Sequence, residues 1–174
     1  MKVADLQLKA ELLAGKFGWS GEVFSSKLNN AHLFALTMSW INKNLQTLEM
    51  LGFSAKDARD MGSRRPLLLT ANWTTELHRD KWHFIANVMH LQHSAIVGTP
   101  TILEASLRRK LVPRWRFLCQ LADAGKLTRS DPASYVSPIA DATDKAFAEL
   151  FDSPGLNLYY NEAYMQASWN KYIS

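Results

Sequence analysis

The chain repeats one sequence unit at an interval of 34 residues, and this period limits what it can fold into. Pro66-Leu67-Leu68-Leu69 is followed after that interval by Pro100-Thr101-Ile102-Leu103, which has the same Pro-x-x-Leu pattern. Leu51-Gly52-Phe53-Ser54 opens the first unit, and a weaker copy, Phe17-Gly18-Trp19-Ser20, precedes it by the same step. The step also separates three pairs of apolar residues: Leu77 and Leu111, Trp73 and Leu107, and Phe84 and Leu118. A fixed period of this length is typical of a helical solenoid, in which neighbouring units bury each other's apolar faces.

Local signals predict that each Pro-x-x-Leu forms a corner between two helices. Ser54 and Asp57 have the spacing of a capping box, which starts a helix by satisfying N–H groups of its first turn. That helix should end near residues 63–65, because Pro66 disfavours helical geometry in the residue before it. We expect each corner to be a short, buried 3₁₀ turn. Four side chains should be among the most buried of the chain: Leu68, Leu69, Ile102 and Leu103.

Apolar spacing predicts further helices over residues 3–15, over residues 37–50 and from Thr74 or Thr75 to Leu91. The last of these should bury one face, formed by Leu77, Phe84, Ile85, Val88 and Leu91. A helix that begins at Ser137-Pro138 should bury Ile139, Thr143, Ala146, Phe147, Leu150 and Phe151. No stretch alternates with a period of two for long, so we expect no sheet. The predicted fold is an all-α helical-repeat solenoid of about three to four units of roughly 34 residues, within residues 1–152.

The end of the chain, residues 153–174, forms a separate aromatic-rich tail. We predict that this tail is helical and docks on a neighbouring protein. Its aromatic side chains would form the protein interface: Tyr159, Tyr160, Tyr164, Trp169 and Tyr172.

Composition narrows the class of protein further. The 174-residue chain has one cysteine, Cys119, so it forms no internal disulfide and suits a reducing compartment. No apolar run is long enough to span a bilayer, so we expect no membrane partner. Lys and Arg outnumber Asp and Glu by eleven to five in residues 55–118, but are outnumbered by four to seven in residues 119–174. This uneven charge favours a polyanionic partner for the middle of the chain.

The densest positive charge follows the second Pro-x-x-Leu. We predict that its cations point outward from a helix and bind nucleic-acid phosphates: Arg108, Arg109, Lys110, Arg114 and Arg116. Arginine forks match phosphate oxygens, and the release of counterions favours binding. Arg64 and Arg65, at the end of a helix in the preceding unit, would extend this surface. The alternative interpretation is a charged face that is simply solvated.

The sequence does not indicate catalytic or metal chemistry. His90 and His93 could place two ligands on one helical turn, but no Cys, Asp or Glu lies close in sequence to complete a metal site. Cys119 lies on an apolar face with no activating group nearby in sequence, so we interpret it as a core residue. No set of nucleophile, base and oxyanion donors is recognisable. We therefore predict no enzymatic activity, no metal or other cofactor, and no small-molecule substrate.

The order of the motifs over residues 17–140 resembles the mitochondrial transcription termination factor family, mTERF. The similar pieces are Leu51-Gly52-Phe53-Ser54-x-x-Asp57, Arg65-Pro66-x-x-Leu69, Pro100-x-x-Leu103, Leu111-Val112-Pro113-Arg114-x-x-Phe117-Leu118 and Tyr135-Val136-Ser137-Pro138. The resemblance implies a left-handed superhelix of helix pairs, located in a mitochondrion or plastid, that binds nucleic acid along a basic groove without catalysis. This chain has fewer units than the full-length members that wrap a duplex, and it is less basic. Both departures favour a reduced member that docks on a structured RNA or inside a ribonucleoprotein.

The predicted function is therefore non-enzymatic stabilisation of structured RNA, rRNA in particular, in a mitochondrial ribosome or other ribonucleoprotein. RNA should be preferred over duplex DNA, and neighbouring proteins should bind the tail. The expected location is the mitochondrial matrix, with the chloroplast stroma as the alternative. Two other functions remain open: a DNA-binding regulator of organellar transcription, and a protein-binding scaffold. Residues 1–15 lack the Arg-rich, acid-poor composition of a targeting segment, so the start of the chain is either processed or incomplete.

Overall fold

The computed structural model describes residues 3–18, 37–151 and 170, and all regular structure within them is helical. The α-helices are α1 (Val3–Phe17), α2 (Met38–Met50), α3 (Ala55–Arg64), α4 (Glu76–His83), α5 (His93–Gly98), α6 (Val112–Asp123), α7 (Val136–Ala140) and α8 (Asp144–Leu150). Short 3₁₀ segments cover Pro66–Leu69, Pro100–Leu103 and Pro132–Tyr135, and π-helical turns cover Phe84–Val88 and Leu107–Leu111. The predicted all-α repeat fold is confirmed. No helix among the described residues is both long enough and apolar enough to cross a membrane.

Two compact units divide the chain, Met1–Arg79 and Asp80–Ser174. The predicted boundary between a repeat domain (residues 1–152) and a tail (residues 153–174) stays a prediction. The five tail aromatics assigned to a protein interface lie outside the described residues.

In the N-terminal unit, α3 packs against α1, α2 and the corner that begins at Pro66, and α2 also packs against this corner. Side chains cap the starts of α2 and α3: Thr37 Oγ1 accepts from the Trp40 N–H at 3.2 Å, and Ser54 Oγ, as the sequence predicts, accepts from the Asp57 N–H at 3.1 Å. The core combines apolar side chains from every element: Leu13, Ile41, Leu45, Leu48, Phe53, Ala58, Met61, Leu68 and Leu69. The helix caps thus fix where α2 and α3 begin, and their apolar faces fix how they pack.

A glycine allows the Pro66 corner to approach α3 closely. A Cβ atom at Gly62 would lie 2.8 Å from Leu69 Cδ2, inside van der Waals contact. Gly62 and Leu69 are both buried, so this close approach lies in the core of the unit.

The two Pro-x-x-Leu corners have nearly the same backbone. The residues before the prolines, Arg65 (φ −129°, ψ 79°) and Thr99 (φ −130°, ψ 68°), both lie outside the helical region, as a following proline requires. Each corner then forms one 3₁₀ turn of four residues. The four side chains predicted to be most buried are buried: Leu68, Leu69, Ile102 and Leu103. The sequence period is therefore a structural period.

The C-terminal unit has an aromatic cluster whose rings come from α6, the Pro132–Tyr135 turn and the end of α8. Phe147 is fully buried, and its ring centroid lies 6.2 Å from that of Phe117 and 4.9 Å from that of Phe151. Tyr135 joins the cluster with its centroid 5.5 Å from Phe151. These rings hold the Pro132–Tyr135 turn and α8 against α6.

The predicted buried face of the helix through residues 74–91 is only partly correct. Phe84, Ile85 and Leu91 are buried, but Leu77 is 58% exposed and Val88 is 36% exposed. The helix changes to π-helical bonding after His83, with the Met89 N–H donating to Phe84 O at 2.9 Å. A wider turn changes which positions share a face, so a face calculated with the α-helical period fails across this point.

The predicted helix from Ser137 to Phe151 is also wrong, because the chain forms two short helices there. Thr143 Oγ1 accepts from the Ala146 N–H at 3.1 Å, so Thr143 is the N-cap of α8. An N-cap residue has non-helical backbone, so α7 and α8 are not one continuous helix. Ile139 and Phe147 are buried as expected, whereas Thr143, Ala146 and Leu150 are exposed.

Candidate nucleic-acid interface

The basic segment begins with a π-helical turn and continues as α6. Ser106 caps it, because its Oγ accepts from the Arg109 N–H at 3.2 Å. Pro113 lies at the start of α6 and has no N–H to donate to the carbonyl four residues earlier. The π-helical turn just before it, in which the Leu111 N–H donates to Ser106 O at 3.0 Å, connects the cap to α6.

Arg114 does not point outward with the other cations, so that part of the prediction is wrong. Its side chain has 0% exposure. Nη2 lies 2.6 Å from Asp144 Oδ1, and the guanidinium lies over the Phe147 ring, 4.6 Å from its centroid. Nη1 donates to three main-chain oxygens, those of Pro138 (3.1 Å), Ile139 (2.9 Å) and Ala142 (3.0 Å).

The reason lies at the end of α7. The last carbonyls of a helix have no intrahelical donors and carry partial negative charge, so a cation there is stabilising. Lys110, which is half-buried, also binds the end of α7: its Nζ lies 3.3 Å from the main-chain oxygens of both Ala140 and Ala142. Two of the five cations predicted to bind phosphates therefore have partners inside the fold.

The buried polar side chains in the described part of the chain all donate hydrogen bonds to main-chain oxygens. Three are buried, Asn44 on α2, Lys81 on α4 and Arg114 on α6. Asn44 Nδ2 donates to Leu69 O at 2.6 Å, and Lys81 Nζ donates to Leu103 O at 2.9 Å. These oxygens belong to the last residues of the two Pro-x-x-Leu corners, and Arg114 binds the end of α7 in the same way. We call these three residues the buried donors.

Burial also changes the titration of one buried donor. Desolvation lowers the pKa of Lys81 below its usual value, and the negative charge of Glu104 opposes this shift. Sequence reasoning did not identify the buried donors. The available signal was a polar residue among the apolar positions of α2, for the first corner, and of α4, for the second.

Three arginines of the basic segment remain accessible: Arg108 and Arg109 are exposed, and Arg116 is half-exposed. No Asp or Glu occurs in the sequence from residue 105 to residue 122. We call Arg108, Arg109 and Arg116 the arginine patch. It can offer planar, permanently charged donors to phosphate oxygens.

Arg64 and Arg65 lie in the other unit, at the end of α3. Arg64 is exposed and its guanidinium bonds the Asp60 carboxylate at 2.8 Å, while Arg65 is half-exposed. A continuous surface that joins them to the arginine patch stays a prediction.

The two histidines do not share a helical turn. His90 lies before α5 with a left-handed backbone (φ 51°), and His93 is the first residue of α5, with its ring 6.0 Å from that of Trp82. No group of three His, Cys, Asp or Glu side chains that could hold a metal ion occurs among the described residues. Cys119 is half-buried; desolvation and Asp123 raise the pKa of its thiol, and Arg116 opposes them.

Comparison with known proteins identifies the family of this chain. The mTERF family model matches residues 3–147, which is most of the chain. A comparison with individual curated proteins gives no significant match. Because the match extends from α1 into α8 and includes both Pro-x-x-Leu corners, the chain belongs to the mTERF family, whose members are helical nucleic-acid-binding proteins and in general not enzymes.

Proposed function

We propose that this chain is a non-enzymatic RNA-binding protein that stabilises structured RNA, rRNA in particular, within a mitochondrial ribosome or other ribonucleoprotein. The observation that carries the proposal is the arginine patch. Arg108, Arg109 and Arg116 remain accessible on a capped helical segment with no acidic residue from 105 to 122. Family membership supplies the broader activity, and the patch supplies groups that can perform it.

Limited positive charge supports RNA over a long DNA duplex. The net charge is +4, and only part of the basic segment is available to phosphates. Affinity for a DNA duplex increases with the number of phosphates that a protein neutralises. Structured RNA is recognised mostly by its shape and through backbone contacts. Fewer cations are therefore needed on this chain when neighbouring proteins also contact the RNA. The aromatic tail, residues 153–174, is proposed as the surface that binds such a neighbour.

Charge reversal of the arginine patch tests the proposal. The variant Arg108→Glu, Arg109→Glu, Arg116→Glu should bind a structured rRNA fragment at least about tenfold more weakly than the parent. The matched control is Lys43→Glu, Lys56→Glu, Lys145→Glu, which changes the net charge equally at three exposed lysines elsewhere. Circular dichroism should show both variants folded. Equal loss of binding in the two variants would contradict a role for this particular surface.

Competition identifies the nucleic acid. Structured RNA should displace a labelled RNA at lower concentration than duplex DNA of the same length. The opposite order would favour a DNA-binding regulator of transcription, and binding that barely depends on salt would favour a protein scaffold.

We propose the mitochondrial matrix as the location, with the chloroplast stroma as the alternative, on the basis of the family and of the single cysteine. Protease protection in isolated mitochondria tests the location. Co-sedimentation with mitochondrial ribosomal subunits tests the assembly, and free migration at every salt concentration would contradict the ribosomal assignment.

A further inference from the structure

The C-terminal unit has a cleft between the loop after α6, the Pro132–Tyr135 turn and α8. Its volume is about 520 Å³, which is within the range of small-ligand sites. Lining side chains include Lys126, Arg129, Ser134, Tyr135, Leu150 and Phe151. We call it the Tyr135 cleft. None of these residues belongs to the arginine patch.

One wall of the Tyr135 cleft is aromatic and is held in position. The rings of Tyr135 and Phe151 are 5.5 Å apart and tilted by 58°. The Tyr135 hydroxyl accepts from the Arg129 N–H at 3.0 Å, which ties the ring to the loop. Beside this wall, Leu150 is 55% exposed, so the cleft offers apolar surface to a flat ring.

The rim of the cleft is cationic. Lys126 and Arg129 are exposed, and neither forms an ion pair with a described residue. The side-chain hydrogen bond of Arg129 to a described residue is marginal, from Nη1 to Ser134 O at 3.5 Å. Two carboxylates on adjoining elements form local hydrogen bonds and no ion pair with Lys126 or Arg129: Asp131 accepts from the Ala133 N–H at 2.9 Å, and Asp141 accepts from Ser137 Oγ at 3.0 Å. An anion at this rim would therefore find two available cations.

The loop that carries these cations has fixed ends. Gly125 has a φ of 65°, the left-handed conformation that commonly ends a helix, and the Lys126 N–H donates to Leu121 O at 2.8 Å. At the other end, the Asp131 side chain caps the Pro132–Tyr135 turn. Because both ends are held, little ordering is needed before a ligand can bind.

From these contacts we infer that the Tyr135 cleft binds one unpaired nucleotide, with the base against Tyr135 and Phe151 and the phosphate at Lys126 and Arg129. Bases stack on aromatic side chains when they are free of their own duplex, and arginine forks match phosphate. Paired bases inside a helix have no free face for such a wall. The inference rests on the proposed RNA binding for its natural ligand, and it adds a preference for RNA with an unpaired residue beside a folded element.

Mononucleotide binding tests the site on the full chain. Adenosine 5′-monophosphate, followed by nuclear magnetic resonance titration, should perturb the signals of Tyr135 and Arg129. Adenosine alone and inorganic phosphate alone should each bind more weakly, because each occupies half of the cleft. Tyr135→Leu, which keeps apolar volume but removes the ring, should weaken nucleotide binding about fivefold or more. Arg129→Gln should do the same, and Lys145→Ala, at an exposed lysine on α8 outside the cleft, should have no effect.

The outcomes separate this inference from the proposed function. If the triple glutamate variant of the arginine patch still binds the mononucleotide, the cleft is an independent site, as expected. If Tyr135→Leu and Arg129→Gln bind the mononucleotide as the parent does, or if the parent does not bind it, the cleft is not a nucleotide site. In that case, unchanged binding of structured RNA would still support the proposed RNA-binding role of the arginine patch. Nucleotide binding without any RNA binding would instead reject the proposed function alone.

Discussion

The guanidinium of Arg114 lies 2.6 Å from the carboxylate of Asp144, yet Arg114 is fully buried and the Asp144 side chain is 58% exposed. The pair is therefore unequal. Water can solvate Asp144 if the arginine is lost, but the carbonyls at the end of α7 would lose their donor inside the protein.

This inequality predicts a large stability loss on one side of the pair only. Arg114→Met should lower the free energy of unfolding by about 3 kcal/mol, because several buried acceptors lose their partner. Asp144→Asn should cost less, about 1 kcal/mol, because the Asp144 carboxylate is largely solvated and the buried guanidinium keeps its main-chain acceptors. Urea denaturation of both variants measures the two effects. Equal losses would show that the ion pair, not the carbonyl contacts, is what matters.

Lys81 predicts a pH dependence of stability. Its folded-state pKa is lowered by burial, so the unfolded chain binds the proton more tightly than the folded chain. The free energy of unfolding should therefore rise with pH between the lowered pKa and the ordinary lysine value, and should be lowest on the acid side of that window. Denaturation of the parent and of Lys81→Met across alkaline pH isolates this contribution. A parent curve parallel to that of the variant would contradict it.

Gly62 and Gly98 provide a matched pair of glycine substitutions. Gly62→Ala should destabilise the protein by about 1–3 kcal/mol, because its Cβ would lie 2.8 Å from a side-chain atom of Leu69. Gly98→Ala meets nothing within 4 Å and lies in a helix, so it should be neutral or stabilise by up to about 1 kcal/mol. Thermal denaturation of both variants checks the contrast. A tolerated Gly62→Ala would mean that the corner can move away from α3.

Salt dependence should distinguish the accessible cations from those with internal partners. Arg109→Ala should weaken RNA binding about equally for unrelated sequences and lower the slope of log K against log salt by about one. Lys110→Ala should change the slope less, because its ammonium already bonds the oxygens of Ala140 and Ala142. Fluorescence titrations at several salt concentrations provide the slopes. Equal changes would place both side chains on phosphates.

What could be predicted from the sequence followed from short-range rules. The Pro66 and Pro100 corners and the Ser54 cap depend on residues within a few positions of each other, so proline sterics and capping were sufficient. The exposure of Leu77 could not be predicted with an α-helical period, because the helix changes to π-helical bonding at Phe84.

The candidate site was harder to predict, since the position of Arg114 depends on a distant element. Its main-chain acceptors lie 24 to 28 residues further along the chain, at and just after the end of α7. Charge pattern alone could not separate Arg114 from Arg109 or Arg116. The Tyr135 cleft was missed for the same reason, because a loop, a turn and a helix end have to meet to form it.

Each contact of a buried donor depends on the identity of one residue only, the donor itself. Asn44, Lys81 and Arg114 all donate to main-chain oxygens, which every amino acid provides. A substitution at Leu69 or Leu103 can change the packing of a corner but cannot delete its acceptor. The side chains on the outer surface of a corner can therefore be exchanged while the hydrogen bond that fastens the first corner to α2, or the second corner to α4, is kept.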